Sequence, residues 1–139
     1  MTTRVVVTGL GMITPLAHSA CDNWTAMVAG ESGIRRIGAF DPAGFGSQVA
    51  GEVQEFDPTK FMDRKEARRA DRFTQFAFAA AQDALQQSGY TITPGESNDV
   101  ITIIGTAIGG ITTLVEEYNT MTSKGPSRVS PFLVPMMLP

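Results

Sequence analysis

Arg4-Val5-Val6-Val7-Thr8-Gly9-Leu10-Gly11 opens the chain with a β-branched run that stops at two closely spaced glycines. Val5, Val6 and Val7 are apolar in succession, so neither face of a strand built from them would be polar. That pattern suits a strand covered on both sides, as in a parallel sheet flanked by helices. Val100-Ile101-Thr102-Ile103-Ile104, entering the loop Gly105-Thr106-Ala107-Ile108-Gly109-Gly110, repeats the arrangement later in the chain. Segments of helical period lie between and after these runs, which makes the class α/β.

Working outward, Ser19 followed by Asp22 predicts a capped helix start, with Trp24, Met27 and Val28 on one face and Gly30 as terminator. Residues 31–62 are broken by Gly33, Gly38, Pro42, Gly44, Gly46, Gly51 and Pro58, which predicts loops, with room for a strand near Gln48 to Val53. Asp63 to Ser88, closed by Gly89, is the clearest helical region, and Phe73, Phe76, Ala77, Ala80 and Ala84 follow its period. Its alanine stripe would let a neighbour approach closely. The pattern fits one long helix or two, the second starting at Asp71. Ile111 to Met121 is expected to be helical, with Leu114, Val115 and Tyr118 together. Ser123 to Pro139 differs: Pro126, Pro131, Pro135 and Pro139 argue against regular helix, yet Phe132, Leu133, Val134, Met136, Met137 and Leu138 among them are apolar. This tail is expected to bury itself against something, and the native chain to run on past Pro139.

Composition excludes several classes. Hydrophobic residues make up 42% and charged residues 18% of the 139, as in soluble globular chains. No apolar run approaches the ~20 residues of a membrane helix. Met1 to Arg4 leads straight into the valines without a signal-peptide pattern, so the expected location is cytoplasmic. A single cysteine, Cys21, and a single histidine, His18, give no internal disulfide and no metal site. They could form a nucleophile and base couple in principle, but no third group to orient it can be named. Gly9-Leu10-Gly11 resembles a dinucleotide-binding turn, but Thr14 stands where the third glycine belongs and no helix begins before Ser19. Gly105 to Gly110 lacks the Lys-Ser/Thr end of a phosphate loop, so close approach of its backbone to a ligand or another chain is its natural use.

The net charge of -3 argues against nucleic acid as a partner, but it hides a local exception. Arg64-Lys65-Glu66-Ala67-Arg68-Arg69-Ala70-Asp71-Arg72 holds five of the 11 basic residues. At helical spacing Lys65, Arg68, Arg69 and Arg72 share one side, where like charges repel. One reading is a solvated face eased by Asp63, Glu66 and Asp71. The other is a docking surface for a small acidic protein, with salt-sensitive association.

Taken together, these residues resemble the β-ketoacyl-acyl carrier protein synthases of the elongating, type II kind. Val5-Val6-Val7-Thr8-Gly9-Leu10-Gly11-Met12 with Thr14-Pro15 is similar to the family's opening strand and turn. Trp24, Gly30 to Ile34, Phe40-Asp41, Ala50-Gly51-Glu52-Val53 and Phe56-Asp57-Pro58 follow in order. Lys65-Glu66-Ala67-Arg68-Arg69 with Asp71-Arg72-Phe73, Ile108-Gly109-Gly110 and Ser130-Pro131-Phe132 complete the likeness, which covers all 139 residues but about a third of a family member. The resemblance implies the thiolase-like layered fold, of which residues 1–139 would be the amino-terminal part of the first half, within one synthase domain and with no internal boundary.

The activity implied is decarboxylating condensation of an acyl thioester with malonyl-acyl carrier protein in fatty acid elongation. The expected protein is a cytoplasmic homodimer that touches neither nucleic acid nor membrane. No metal or organic cofactor is implied, because the acidic acyl carrier protein brings its own phosphopantetheine arm. The family's nucleophile lies in a Thr-Ala-Cys type motif, with two histidines and a lysine beyond it, and none of these motifs occurs here. Cys21 and His18 match none of them, so no catalytic residue is expected in this chain and it should be inactive alone. Lys65, Arg68, Arg69 and Arg128 match carrier-protein-binding positions. Ile108 matches a residue bordering the acyl pocket, and Phe132 and Leu133 match residues lining it across the dimer interface. A second aromatic is common in the family where Leu133 stands here, which leaves chain length unassigned. Two alternatives share parts of this pattern: a non-catalytic chain-length factor of polyketide synthesis, and a small module that docks an acidic protein.

Overall fold

Ser19 opens the first helix, α1 (Ala20–Val28), by accepting the Asp22 N–H at 3.1 Å, while Asp22 Oδ2 accepts the Ser19 hydroxyl at 2.7 Å. Gly30 closes it at φ 72°: its N–H donates to the Met27 carbonyl at 3.1 Å and the Glu31 N–H to that of Ala26 at 2.9 Å. This is the left-handed cap that glycine adopts without strain. The computed structural model describes residues 3–138, so expectations for the start at Met1 and for the chain past Pro139 lie outside the described residues. Contacts divide the chain into two units, Met1–Asp57 with Ala79–Tyr90, and Pro58–Phe78 with Thr91–Pro139.

In the first unit α1 turns inward the face that carries Asn23 and Ala26, while Trp24 and Val28 are 67% and 70% exposed. The apolar face that carries Trp24, Met27 and Val28 therefore points out, because nothing described in this unit covers it. Two short strands, β1 (Ile34–Arg36) and β2 (Val49–Gly51), pair antiparallel in the register Ile34↔Gly51, Arg35↔Ala50, Arg36↔Val49. β2 lies within the expected Gln48 to Val53 stretch; its partner falls in a region read as loop. Glu52 holds the connection between them by accepting the N–H groups of Gly38 and Ala39 at 2.9 and 3.1 Å.

The long helix α3 (Arg72–Ser88) gives its later part to this unit, with Ala79 fully buried. Gly9 and Gly11 lie against it so closely that a Cβ on either would collide with the carbonyl of Ala84 or Ala80. The alanine stripe does admit a close neighbour, and that neighbour is the turn after the opening valines.

In the second unit Asp63 caps α2 (Arg64–Ala67), accepting the Lys65 and Glu66 N–H groups at 2.7 and 2.9 Å. The helix stops at Arg68 and α3 starts at Arg72, so Asp63 to Ser88 is two helices. Lys65, Arg68, Arg69 and Arg72 therefore do not share one helix face, which corrects the spacing argument. Gln75 stabilises the break, its side-chain amide donating to the carbonyls of Ala67 and Ala70 at 2.9 and 3.1 Å.

Helix α4 (Ile111–Lys124) runs past the expected Met121 and ends at Gly125, φ 91°. A 3-10 turn (Pro126–Arg128) and a short helix, α5 (Leu133–Met137), follow. Prolines do not keep the tail irregular, as expected above: Pro126 opens the 3-10 turn and Pro135 lies in the first turn of α5, where an N–H has no intrahelical acceptor anyway.

Neither Arg4 to Thr8 nor Val100 to Ile104 is in a ladder among the described residues. Val5, Val7, Ile101 and Ile103 are 91%, 79%, 80% and 89% exposed. A strand exists only through its neighbours' hydrogen bonds, and each run has the apolar pattern without a paired edge in its own unit. No helix among the described residues is long and apolar enough to cross a membrane.

Candidate functional site

The turn from Arg68 to Asp71 is where the sequence-marked residues meet. Capping of α2 by Asp63 fixes Lys65 at the helix start with its side chain exposed. Arg68 caps the carboxyl end, and the Arg69 N–H donates to the Glu66 carbonyl at 2.8 Å, which turns the chain sharply. Arg69 then lays its guanidinium over the Phe132 ring, Cζ to centroid 4.4 Å. Arg72 makes a similar contact with Phe76 at 4.9 Å. Two residues assigned to different roles by resemblance, Arg69 and Phe132, thus touch.

Asp71 points the other way. Its Oδ2 accepts the Thr113 N–H at 3.1 Å and the Thr113 hydroxyl at 2.5 Å, and both residues are buried. Sequence reasoning gave Asp71 as an easing charge, as a candidate helix start and as part of a family motif, and did not single out Thr113. The one available signal was an acid directly before a helix that lacks a Ser or Thr cap. Gly110 explains the approach of these segments: a Cβ there would stand 2.7 Å from the Met136 carbonyl oxygen and 2.9 Å from Asp71 Oδ2. The Gly110 N–H donates to the Met137 carbonyl at 3.2 Å, and Gly109 adopts φ 77°. The close backbone approach of the glycine loop is to the end of α5 in the same chain, not to the ligand or second chain expected.

Ile108, within that loop, is 68% exposed, Phe132 is 39% exposed and Leu133 half-buried. Ser130 sets the approach to Phe132: its N–H donates to Glu117 Oε2 at 2.8 Å and its Oγ accepts the Phe132 N–H at 3.2 Å. Arg128, exposed in the 3-10 turn, has no described contact with Lys65, Arg68 or Arg69.

In the first unit the Thr14-Pro15 turn is held from below by Asn23, only 1% exposed. Its amide donates to the carbonyls of Ala17 and Ser19 at 2.9 and 2.8 Å, and its Oδ1 accepts the Thr14 hydroxyl. Sequence reasoning missed Asn23 because it lies inside an apolar helix pattern. His18 meets Phe56 edge-on at 5.8 Å between centroids and Cys21 is exposed, with no described contact between the two.

The match to known proteins covers nearly the whole chain: residues 2–138 fit the model for the β-ketoacyl synthase N-terminal domain. The chain belongs to the β-ketoacyl synthase family. Among similar curated proteins, the 3-oxoacyl-[acyl-carrier-protein] synthase 2 of Synechocystis sp. is 44% identical over 135 residues, 97% of this chain and 32% of that protein. The enzyme of the same name from Coxiella burnetii is 40% identical over 132 residues, 95% of the chain and 32% of that protein. This β-ketoacyl synthase chain therefore spans about a third of the length of those relatives. A solved ishigamide ketosynthase/chain length factor superposes with TM-score 0.78 at 28% identity, covering 96% of this chain and 33% of that one. A β-ketoacyl synthase from Burkholderia phymatum gives 0.76 at 24%, covering 99% and 34%, and bears on the fold alone. The fold is that of the amino-terminal third of a ketosynthase, the thiolase-like architecture expected.

Proposed function

We propose that residues 1–139 are the amino-terminal part of a 3-oxoacyl-acyl carrier protein synthase, within a single synthase domain. In the reaction an acyl group moves from a thioester to an enzyme cysteine, releasing the first thiol. Malonyl-acyl carrier protein then loses carbon dioxide, and the carbanion attacks the acyl-enzyme. The cysteine leaves as thiolate, and the product is a β-ketoacyl chain two carbons longer on the carrier. The catalytic residues lie outside residues 1–139, and the working form is a cytoplasmic homodimer that needs no metal or organic cofactor. The observation that carries this reading is 44% identity across 97% of the chain to a synthase of that name. The test is direct: the full-length protein, given acyl- and malonyl-carrier protein, should release carbon dioxide and form the β-keto product with chelator present. Absence of condensation would sink it.

The basic turn is the docking surface in this reading. Lys65, Arg68, Arg69 and Arg128 are exposed, and a solved type II ketosynthase bound to its acyl carrier protein shares the fold at 19% identity and TM-score 0.70. Replacing Lys65, Arg68 and Arg69 by Ala should raise KM for carrier-bound substrate at least tenfold, about 1.4 kcal/mol, and flatten its salt dependence. Unchanged KM and salt slope would remove the surface from this role. Ile108, Phe132 and Leu133 border the acyl pocket, the last two from across the dimer. The ishigamide neighbour favours one second reading, a non-catalytic chain-length factor. Stable association with a catalytic ketosynthase, without condensation by the full-length protein alone, would select it.

A further inference from the structure

Two side chains of one short turn reach two different segments. Arg69 covers Phe132 at 4.4 Å, and Asp71 takes both donors of Thr113. Phe132 is the cap residue of α5, its carbonyl accepting the Met136 N–H at 2.9 Å, and the end of α5 closes on Gly110 at 3.2 Å beside Ile108. The turn thus grips the Phe132–Met137 segment at one end and the start of α4 at the other. The two grips are unequal. Asp71 is 7% exposed and its bonds are shielded, whereas Arg69 is exposed. A solvent-exposed guanidinium is held weakly by a ring, while a carboxylate or phosphate binds it by paired, charge-assisted hydrogen bonds. An anionic partner can therefore win Arg69 from the ring without disturbing Asp71.

We infer that Arg69 is a positioning residue that holds the Phe132 ring, and that an acidic protein docking on Arg69 releases it, coupling docking to the placement of Phe132. This rests on the carrier-docking reading above. It makes acyl-chain selection depend on the partner as well as on the pocket walls.

The test uses the full-length protein with 4-fluorophenylalanine at position 132, read by fluorine NMR. Arg69→Lys keeps the charge but loses the planar face. It should move the resonance, and carrier protein added to the wild type should move it in the same direction. In Arg69→Lys the carrier-induced movement should vanish. With acyl N-acetylcysteamine thioesters, which have no protein to dock, Arg69→Lys should still alter the chain-length profile. Combined with Phe132→Leu, the effects on kcat/KM should be non-additive by about two- to fivefold, the size of an exposed ring contact. A pure docking role leaves small-thioester kinetics untouched, and that result overturns the inference, as does a resonance indifferent to Arg69→Lys. A ring that Arg69→Lys moves, in a protein that binds no carrier, overturns the docking reading and the release step with it.

Discussion

Thr113 offers both an N–H and a hydroxyl to one oxygen of Asp71, with both residues 7% exposed. A buried carboxylate that loses such donors is costly, and so are donors left without the carboxylate. Asp71→Ala in the full-length protein should therefore cost about 2–3 kcal/mol, and Thr113→Val, which keeps the N–H, about 1 kcal/mol. Denaturant unfolding would check both, and equal losses would mean the hydroxyl carries the whole interaction. This pair was invisible in the sequence for a plain reason. Its members are 42 residues apart, and Asp71 stands among basic residues that supply a local explanation for it. Asn23 was hidden in the same way, since its partners at Ala17 and Ser19 are backbone carbonyls that no composition reveals. By contrast Ser19, Asp22 and Gly30 were legible because caps act within one turn of the chain.

At the level of elements, what could be read was whatever closes on itself locally. Most helices announced themselves through caps and period; the break at Arg68 was left open, and the extent of α4 and the presence of α5 differed. The break depends on Gln75 reaching back to Ala67 and Ala70, a tertiary preference that helical spacing cannot express. The site followed the same rule: the basic residues were legible as a cluster, but their meeting with Phe132 was not, since it needs α5 brought to the turn. Packing of the glycine turn on α3 was half legible, from the alanine stripe but not from the turn itself. It yields a sharp test. Gly11→Ala would drive a methyl group into the Ala80 carbonyl and should cost about 2–3 kcal/mol through overpacking, whereas Gly46→Ala, with nothing within 4 Å, should stay within about 0.5 kcal/mol. Comparable losses at both positions in thermal unfolding would show that the turn can retreat from the helix.

Over the whole molecule, the unpaired strand runs and the outward face of α1 share one feature, uncovered apolar surface. Val5 to Val7 in one unit and Ile101 to Ile104 in the other carry the sequence of doubly covered strands, yet their side chains stand in the open. Trp24, Met27 and Val28 do the same on α1. Burying one such side chain is worth about 1.5–3 kcal/mol, and a backbone with unpaired donors is a template for another chain. The curated relatives are about three times as long as this chain, and in a protein of that length additional polypeptide could cover such faces. Amide hydrogen exchange separates the two situations. In the full-length protein the amides of Val5 to Val7 and Ile101 to Ile104 should exchange about a hundredfold or more slowly than in residues 1–139 expressed alone, as ladder bonds protect them. The shorter chain should also bind a hydrophobic dye and unfold without a cooperative transition. Equal exchange in both, with cooperative melting of the short form, would mean these runs are never paired, and the parallel-sheet reading of Val5-Val6-Val7 would fall with them.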